Sequence, residues 1–508
     1  MFTDARTLPD RHLVETDLAI IGGGVAGITL ARAMAGSRTR VCLVEAGGLE
    51  YDAAGQALYE GENTGLDYSP VATRLRYFGG SSNHWGGYCR PLDPIDFERR
   101  DWIPHSGWPF GFEELAPWYE QASRLVEIEP GRFADAGYWS AATGETVTAP
   151  PGGRLCLQFV HFSPPTRFGK RYRDDLEKAP NIQVLLNASV TRIAATPDAG
   201  RIRELELNTL AGHGQLLRAR TYVLATGGLE NARLLLLSRD IVKAGLGNQH
   251  DQVGRYFMEH PHLSGFAEIV VADLSRLPRI LRERVTVSGR TAQAAYNPAP
   301  DYLRTQRLLN ATFMMAVAHS YHGPAPGTED DRARNHRDML LAARRFLTDD
   351  PAPGHAQPGV WLGVGGSCEQ SPNPDSRVTL SEQRDALGVE RLKLDWRLTG
   401  QDRQSFYTHL RSLALAFGAS DIGRLREAVA DQSLWPQPVS GGSHHMGTTR
   451  MSDNPLSGVV DRNCRVHGID NLYVAGSSVF PTSGSANPTL TLIALALRLA
   501  DHLKGVIK

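Results

Sequence analysis

"DLAIIGGGVAGITLARAMAGSRTRVCLVEAGG", residues 17–48, decides the fold. It opens on an apolar run, Leu18 to Ile21, short enough for a buried strand. Glycines follow at Gly22, Gly24 and Gly27; Ile28, Leu30, Ala31 and Met34 then mark the apolar side of a helix, and a second strand ends at Glu45. Strand, G-x-G-x-x-G, helix, strand and acid together make a dinucleotide-binding unit. The glycines permit a tight turn and close backbone approach, the helix N-terminus faces a pyrophosphate, and Glu45 is placed to bind ribose hydroxyls.

Near the other end, "IDNLYVAGSSVFPTSGSANPTLTLIALALRLADHL" predicts a strand from Leu472 to Ala475, a turn at Gly476, and a closing helix that starts at Pro488. Its apolar face, Leu490, Ile493, Ala494 and Leu497, is expected to bury against the sheet. A third strand and turn, "TYVLATGGLENARLLLLS", adds to the same sheet. Two distant stretches of chain converging on one nucleotide suit an elongated FAD. No second G-x-G-x-x-G accompanies the first, so a separate NAD(P)H site is not expected and the flavin is reduced by the substrate itself.

The remaining 508-residue composition is that of an ordinary globular chain, with 41% apolar and 21% charged residues. Its 54 basic and 55 acidic side chains leave no global field for nucleic acid. Five scattered cysteines without a C-x-x-C argue against a disulfide framework or a cysteine metal site and for a reducing compartment. No apolar run approaches the ~18 residues needed to span a bilayer and the start lacks a secretory pattern, so the expected location is cytoplasmic.

"SGGSHHMGTTRM", residues 440–451, sets two histidines side by side. Neighbouring residues point in different directions, so His444 and His445 are poorly placed to share a metal; either one, or both, can also be read as a structural histidine. The setting decides. With "RLRYFGGSSNHWGGYCRPLDPIDFE", "DQVGRYFMEHP", "HHMGTTRM" and "SGSANPTLT", nearly the whole chain resembles the glucose-methanol-choline (GMC) FAD-dependent oxidoreductases, and the "GG-x-S-x-HW" segment is most similar to their pyranose-oxidase-like and glycoside-dehydrogenase-like branch.

The resemblance implies an α/β fold, a discontinuous Rossmann-like FAD-binding domain (14–100, 181–262 and 440–508) beside a substrate-binding domain (101–180 and 263–439) built on an antiparallel sheet plus helices. It implies His444 as the catalytic base and Asn487 as its partner. A neutral imidazole is suited to take a hydroxyl proton as hydride leaves carbon, and an amide can hold the alcohol oxygen. Gly80, Ser81, Asn83 and His84 are implied cofactor contacts, with His84 a candidate for a covalent bond to the flavin; for the neighbouring glycines a simple tight loop is the other reading. Gly476, Pro488 and Thr489 complete the implied cofactor set, and the helix they precede either steadies the reduced ring or is only a buried helix. Val190 is read either as an adenine contact or as core.

His260 and His262 have His-x-His spacing, but they fall inside the flavin-domain motif, so no metal is assigned. Gln370 and Trp396 are read as sugar contacts or as sheet scaffolding, in strands expected to roof the substrate cavity. Residues 321–358 are read as a solvated insertion, or else as a lid or subunit contact. The implied activity is FAD-dependent oxidation of an alcohol group of a sugar, glycoside, cyclitol or related polyol. The alternatives are a non-sugar alcohol, or a flavin subunit of a larger electron-transfer dehydrogenase. The expected partners are a small alcohol and an electron acceptor: oxygen, a quinone or a redox protein.

Overall fold

The apolar run at Leu18 lies in a ten-residue strand, His12–Ile21, whose last four residues are buried. The structure, a computed structural model, describes residues 1–263, 266–271, 273–320, 360–427, 432–435 and 439–507. His12–Ile21 pairs in parallel with Val41–Val44 on one side and Gly214–Leu224 on the other. The sheet continues outward through Ile182–Leu186 to Phe2–Asp4, also in parallel. Its other flank is an antiparallel ribbon, Ile202–Asn208 and Ser189–Ala195. Leu472–Val474 pairs in parallel with Gly214–Leu224, so a late segment completes a sheet begun by the first residues.

Helix Val25–Ala33 leaves the Gly-rich turn and packs against the closing helix, Thr489–Val506. The closing helix begins one residue later than expected, with Pro488 as its N-cap. Leu490, Ile493 and Ala494 are buried as the pattern predicts, Leu497 is half-buried, and Leu495 and Leu499 join the core instead. Each large side chain so buried contributes about 1.5–3 kcal/mol, and the face is wide because the helix is wedged between helix Val25–Ala33 and helix Phe112–Leu125.

Among the described residues the second sheet has ten strands and is antiparallel, with Val360–Cys368 and Ala311–Ser320 near its centre. Gly365, Gly366 and Ser367 stand in this pair opposite Met314, Phe313 and Thr312. Glycines weaken a strand but let another group approach its face closely, and here they border a cavity. Helix Gly400–Ala419, started by a Thr399–Asp402 capping box, packs its buried side into this sheet's separate hydrophobic core.

Arg377–Arg384 and Glu390–Asp395 do form paired strands, but they do not roof the cavity as expected. They join Gly61–Asn63 in a small third sheet. Val378, Leu392 and Leu394, at alternate positions, turn into the nucleotide-side core, and no residue of these strands lines the cavity. The ten-stranded sheet supplies the roof instead. Residues 321–358, read as an insertion or a lid, lie outside the described residues. No helix among the described residues is long and apolar enough to cross a membrane.

Candidate active site

One cavity of about 840 Å³ runs from the Gly-rich turn to the paired histidines. At its first end the turn is held by close contacts that only glycine allows. A Cβ on Gly27 would stand 1.9 Å from the Gly22 carbonyl oxygen, and Gly22 has φ +109. Gly22 and Gly24 line the cavity, whereas Gly27 does not; its part is to seat the helix against the turn. No side chain caps the helix at Gly24, and Val25 and Ala26 of its first turn line the cavity. Free N–H groups at a helix N-terminus suit a phosphate.

Glu45 lines the cavity next to this turn. Its two carboxylate oxygens accept from the Gly23 and Gly47 amides at 2.8 and 2.7 Å, which leaves further lone pairs for hydroxyls. Burial raises its pKa, and those amides oppose the shift. Val190 also lines the cavity and is only partly buried, so it is not purely core.

Gly80, Ser81 and His84 border the middle of the cavity. Asn83, expected as a cofactor contact, does not: its amide turns away to donate to the Phe78 carbonyl at 3.0 Å and braces the loop. Gly476 lines the wall with φ +106, a left-handed conformation that favours glycine. Pro488 and Thr489 line the far end, at a helix start without a side-chain cap.

His444 and Asn487 meet there. Asn487 Nδ2 is 3.1 Å from His444 Nε2, and both residues line the cavity. The other ring nitrogen, His444 Nδ1, is 3.0 Å from His260 Nδ1. Burial, with His260, His262 and His445 close by, holds the His444 pKa well below the ordinary imidazole value. His445 points elsewhere: its Nε2 is 2.6 Å from the Tyr68 hydroxyl, and burial pushes its pKa down to about 3. The two adjacent histidines therefore have separate partners, as their geometry requires.

Glu259 is the hub beneath them, and its position inside the "MEHP" motif is the only signal that could have singled it out. This fully buried carboxylate accepts from the Gly442 amide at 2.9 Å, the His444 amide at 2.8 Å, the His260 amide at 3.1 Å and the Tyr68 hydroxyl. Burial pushes its pKa up to about 7, against those four donors. Gln370 and Trp396, read as sugar contacts or scaffolding, are scaffolding. Gln370 Oε1 accepts from the Glu259 amide and from the Trp396 indole, both at 2.9 Å, and neither residue lines the cavity.

Arg90 and Thr312 carried no sequence signal. Both line the cavity and both reach the Ser485 hydroxyl, Arg90 at 3.1 Å while paired with Asp93, and Thr312 at 3.1 Å. Thr312, Ser367, Ser440 and Ser443 place hydroxyl-bearing residues around the histidine end.

A parallel nucleotide sheet with its Gly-rich turn, an acid after the second strand, and a base-like histidine beside a helix N-terminus define a flavin-nucleotide oxidoreductase. Residues 17–367 match the family model described as FAD dependent oxidoreductase, and residues 372–496 match that of GMC oxidoreductase. The chain belongs to the FAD dependent oxidoreductases, and its C-terminal part is similar to the GMC oxidoreductases. It is 26% identical to the 6'''-hydroxyparomomycin C oxidase of Streptomyces lividus, covering 96% of this chain and 92% of that one. It is 25% identical to the 2-methyl-1,2-propanediol dehydrogenase of Mycolicibacterium austroafricanum, covering 96% and 95%. The crystal structure of pyridoxine 4-oxidase from Mesorbium loti superposes with a TM-score of 0.61 at 19% identity, over 96% of this chain and 99% of that one. The cofactor is accordingly FAD and the enzyme an oxidoreductase acting on alcohols.

Proposed function

We propose that the protein oxidises a CH–OH group of a sugar, glycoside, cyclitol or related polyol to the carbonyl, with His444 as base and Asn487 as the group that holds the alcohol oxygen. The observation that carries this reading is the His444 Nε2 to Asn487 Nδ2 approach of 3.1 Å on the cavity wall. FAD supplies the acceptor for the two electrons that leave the carbinol carbon as hydride.

The chain's own residues do the rest. An entering alcohol donates its O–H to His444 Nε2 and accepts from Asn487 Nδ2, which orients the carbinol carbon. His444 then takes the hydroxyl proton, leaving the carbonyl product. Gly22, Gly24, Glu45, Gly80, Ser81, His84, Val190 and Gly476 hold the cofactor along the wall. The uncapped amides behind Pro488 and Thr489 favour negative charge on its reduced form.

Hydroxyl-bearing residues around the histidine end suit a polyol. Three relatives are named for glycosides or aminoglycosides: the hydroxyparomomycin oxidase, a C-glycoside 3-oxidase and a paromamine 6'-oxidase. The propanediol dehydrogenase supports a second reading, a small non-sugar alcohol. The electron acceptor is oxygen, a quinone or a redox protein.

Anaerobic titration of the FAD-loaded enzyme with glycosides, cyclitols and simple alcohols tests this reading. Bleaching of the flavin by a glycoside or cyclitol is expected, and its loss in His444→Ala with flavin retained. Bleaching by simple alcohols alone would transfer the proposal to the second reading. Acid precipitation of the same enzyme decides the bond at His84: flavin in the pellet, released by His84→Ala, marks a covalent link, and flavin in the supernatant marks contact alone.

A further inference from the structure

Three hydrogen bonds run in line from the cavity into the protein. Asn487 Nδ2 is 3.1 Å from His444 Nε2, His444 Nδ1 is 3.0 Å from His260 Nδ1, and His260 Nε2 is 3.2 Å from the Ser483 carbonyl oxygen. The two ends have fixed polarity. A carbonyl oxygen only accepts, and an amide nitrogen only donates. Between them lie four ring nitrogens of two neutral imidazoles, each ring carrying one hydrogen. Only one arrangement satisfies every contact. His260 carries its hydrogen at Nε2 and gives it to Ser483, so His260 Nδ1 is a bare lone pair. His444 must then carry its hydrogen at Nδ1, which leaves Nε2 bare.

We infer that His260 is a positioning residue that locks His444 in the tautomer whose Nε2 lone pair faces the cavity, a role that rests on His444 being the base. Without His260 the Nε2–H tautomer of His444 becomes available. That form would present a donor where the alcohol's proton needs an acceptor. His260 also serves the next stage. When the hydroxyl proton arrives at Nε2, the imidazolium formed keeps its Nδ1–H on the His260 lone pair, and a hydrogen bond to the charged form favours it.

The surroundings leave that work to His260. His262 packs its ring 5.5 Å from that of His444, Glu259 accepts from backbone amides, and His445 is engaged with Tyr68. Arg90 and His262, the other groups that act electrostatically on His260, disfavour a charge there, as does burial, and together they keep its pKa down at about 3. His260 therefore rests neutral, as the hydrogen count requires.

The direct test is the nitrogen-15 spectrum of histidine-labelled, FAD-loaded enzyme, with the His444 signals identified by their loss in His444→Gln. A protonated Nδ1 and a bare Nε2 are expected; a protonated Nε2 overturns the inference whatever the variants do. The second arm is anaerobic flavin reduction. His260→Leu removes the acceptor, and His260→Asn returns one, since its amide oxygen takes the place of Nδ1. In His260→Leu the limiting rate is expected to fall about 100-fold with little change in KM, the low end for loss of general-base action, and His260→Asn is expected to recover most of it. Equal rates in His260→Leu and the unmodified enzyme, or no recovery in His260→Asn with FAD content intact, would sink the idea. If His444→Gln also reduces at full rate, the functional reading itself fails; if it is inactive while His260→Leu is not, only the role of His260 fails. Should His260→Leu not retain flavin, the labelled spectrum alone decides.

Discussion

Gly442 shows how closely the protein is built around one ring. A Cβ at that position would stand 2.5 Å from His444 Nδ1 and 2.8 Å from His262 Cε1. Real Cβ atoms do not approach so near, so Gly442→Ala must push His444 away from His260 and Asn487. A misplacement of this size costs about 100-fold in rate when chemistry depends on alignment. Stopped-flow reduction is expected to show that loss while the flavin-to-protein absorbance ratio stays unchanged, because Gly442 lies at the histidine end of the cavity. His444 itself stands out in the sequence through the resemblance that "HHMGTTRM" carries. The ring that faces its Nδ1 does not, because His260 lies 184 positions away and only folding sets the two together.

At the scale of elements, the unit that could be read in one stretch was read well. The strand at Leu18, the turn, the helix and Glu45 stand where the pattern puts them, since their spacing is a local constraint. Gly27→Ala tests the joint between strand and helix. Its Cβ would lie 1.9 Å from the Gly22 carbonyl oxygen and 3.3 Å from a Leu43 methyl, so the helix must lift off the sheet. Overpacking of this kind costs about 1–3 kcal/mol. We expect a lower melting temperature and at least a tenfold weaker affinity of the apoprotein for FAD, measured by calorimetric titration. Asn83 and the strands after Arg377 were misplaced for a different reason. Which way an amide turns, and which of two sheets an alternating strand joins, depend on neighbours distant in the chain.

Over the whole molecule, buried ionisable groups govern the response to acid. Burial pushes His161 and His409 down to about 4 and His260 and His445 to about 3, and holds His444 well below its ordinary value. In the unfolded chain these histidines titrate near 6.5. As pH falls from about 6.5 toward 4 the unfolded chain gains protons that the folded one refuses, so the stability they contribute at neutral pH is lost across that window. Asp96 and Glu259, pushed up to about 7, and Asp402, to about 6, act in the opposite sense, because the folded state holds their protons longer. The depressed histidines are more numerous. Thermal scans of the FAD-loaded enzyme are therefore expected to show the melting temperature falling between pH 6.5 and 4; a rise over that range would contradict the burial assigned to these rings.

The strand Leu472–Val474 pairs inside a sheet whose other members include Phe2–Asp4 and His12–Ile21. During synthesis, the strand Gly214–Leu224 must therefore wait beside a vacant lane until Leu472–Val474 has left the ribosome. Asn487 and the closing helix, which finish the far wall, emerge later still. Capture of the flavin thus becomes a late event in the life of each molecule. A chain stalled short of Leu472 would present an open sheet edge to chaperones and neighbouring chains.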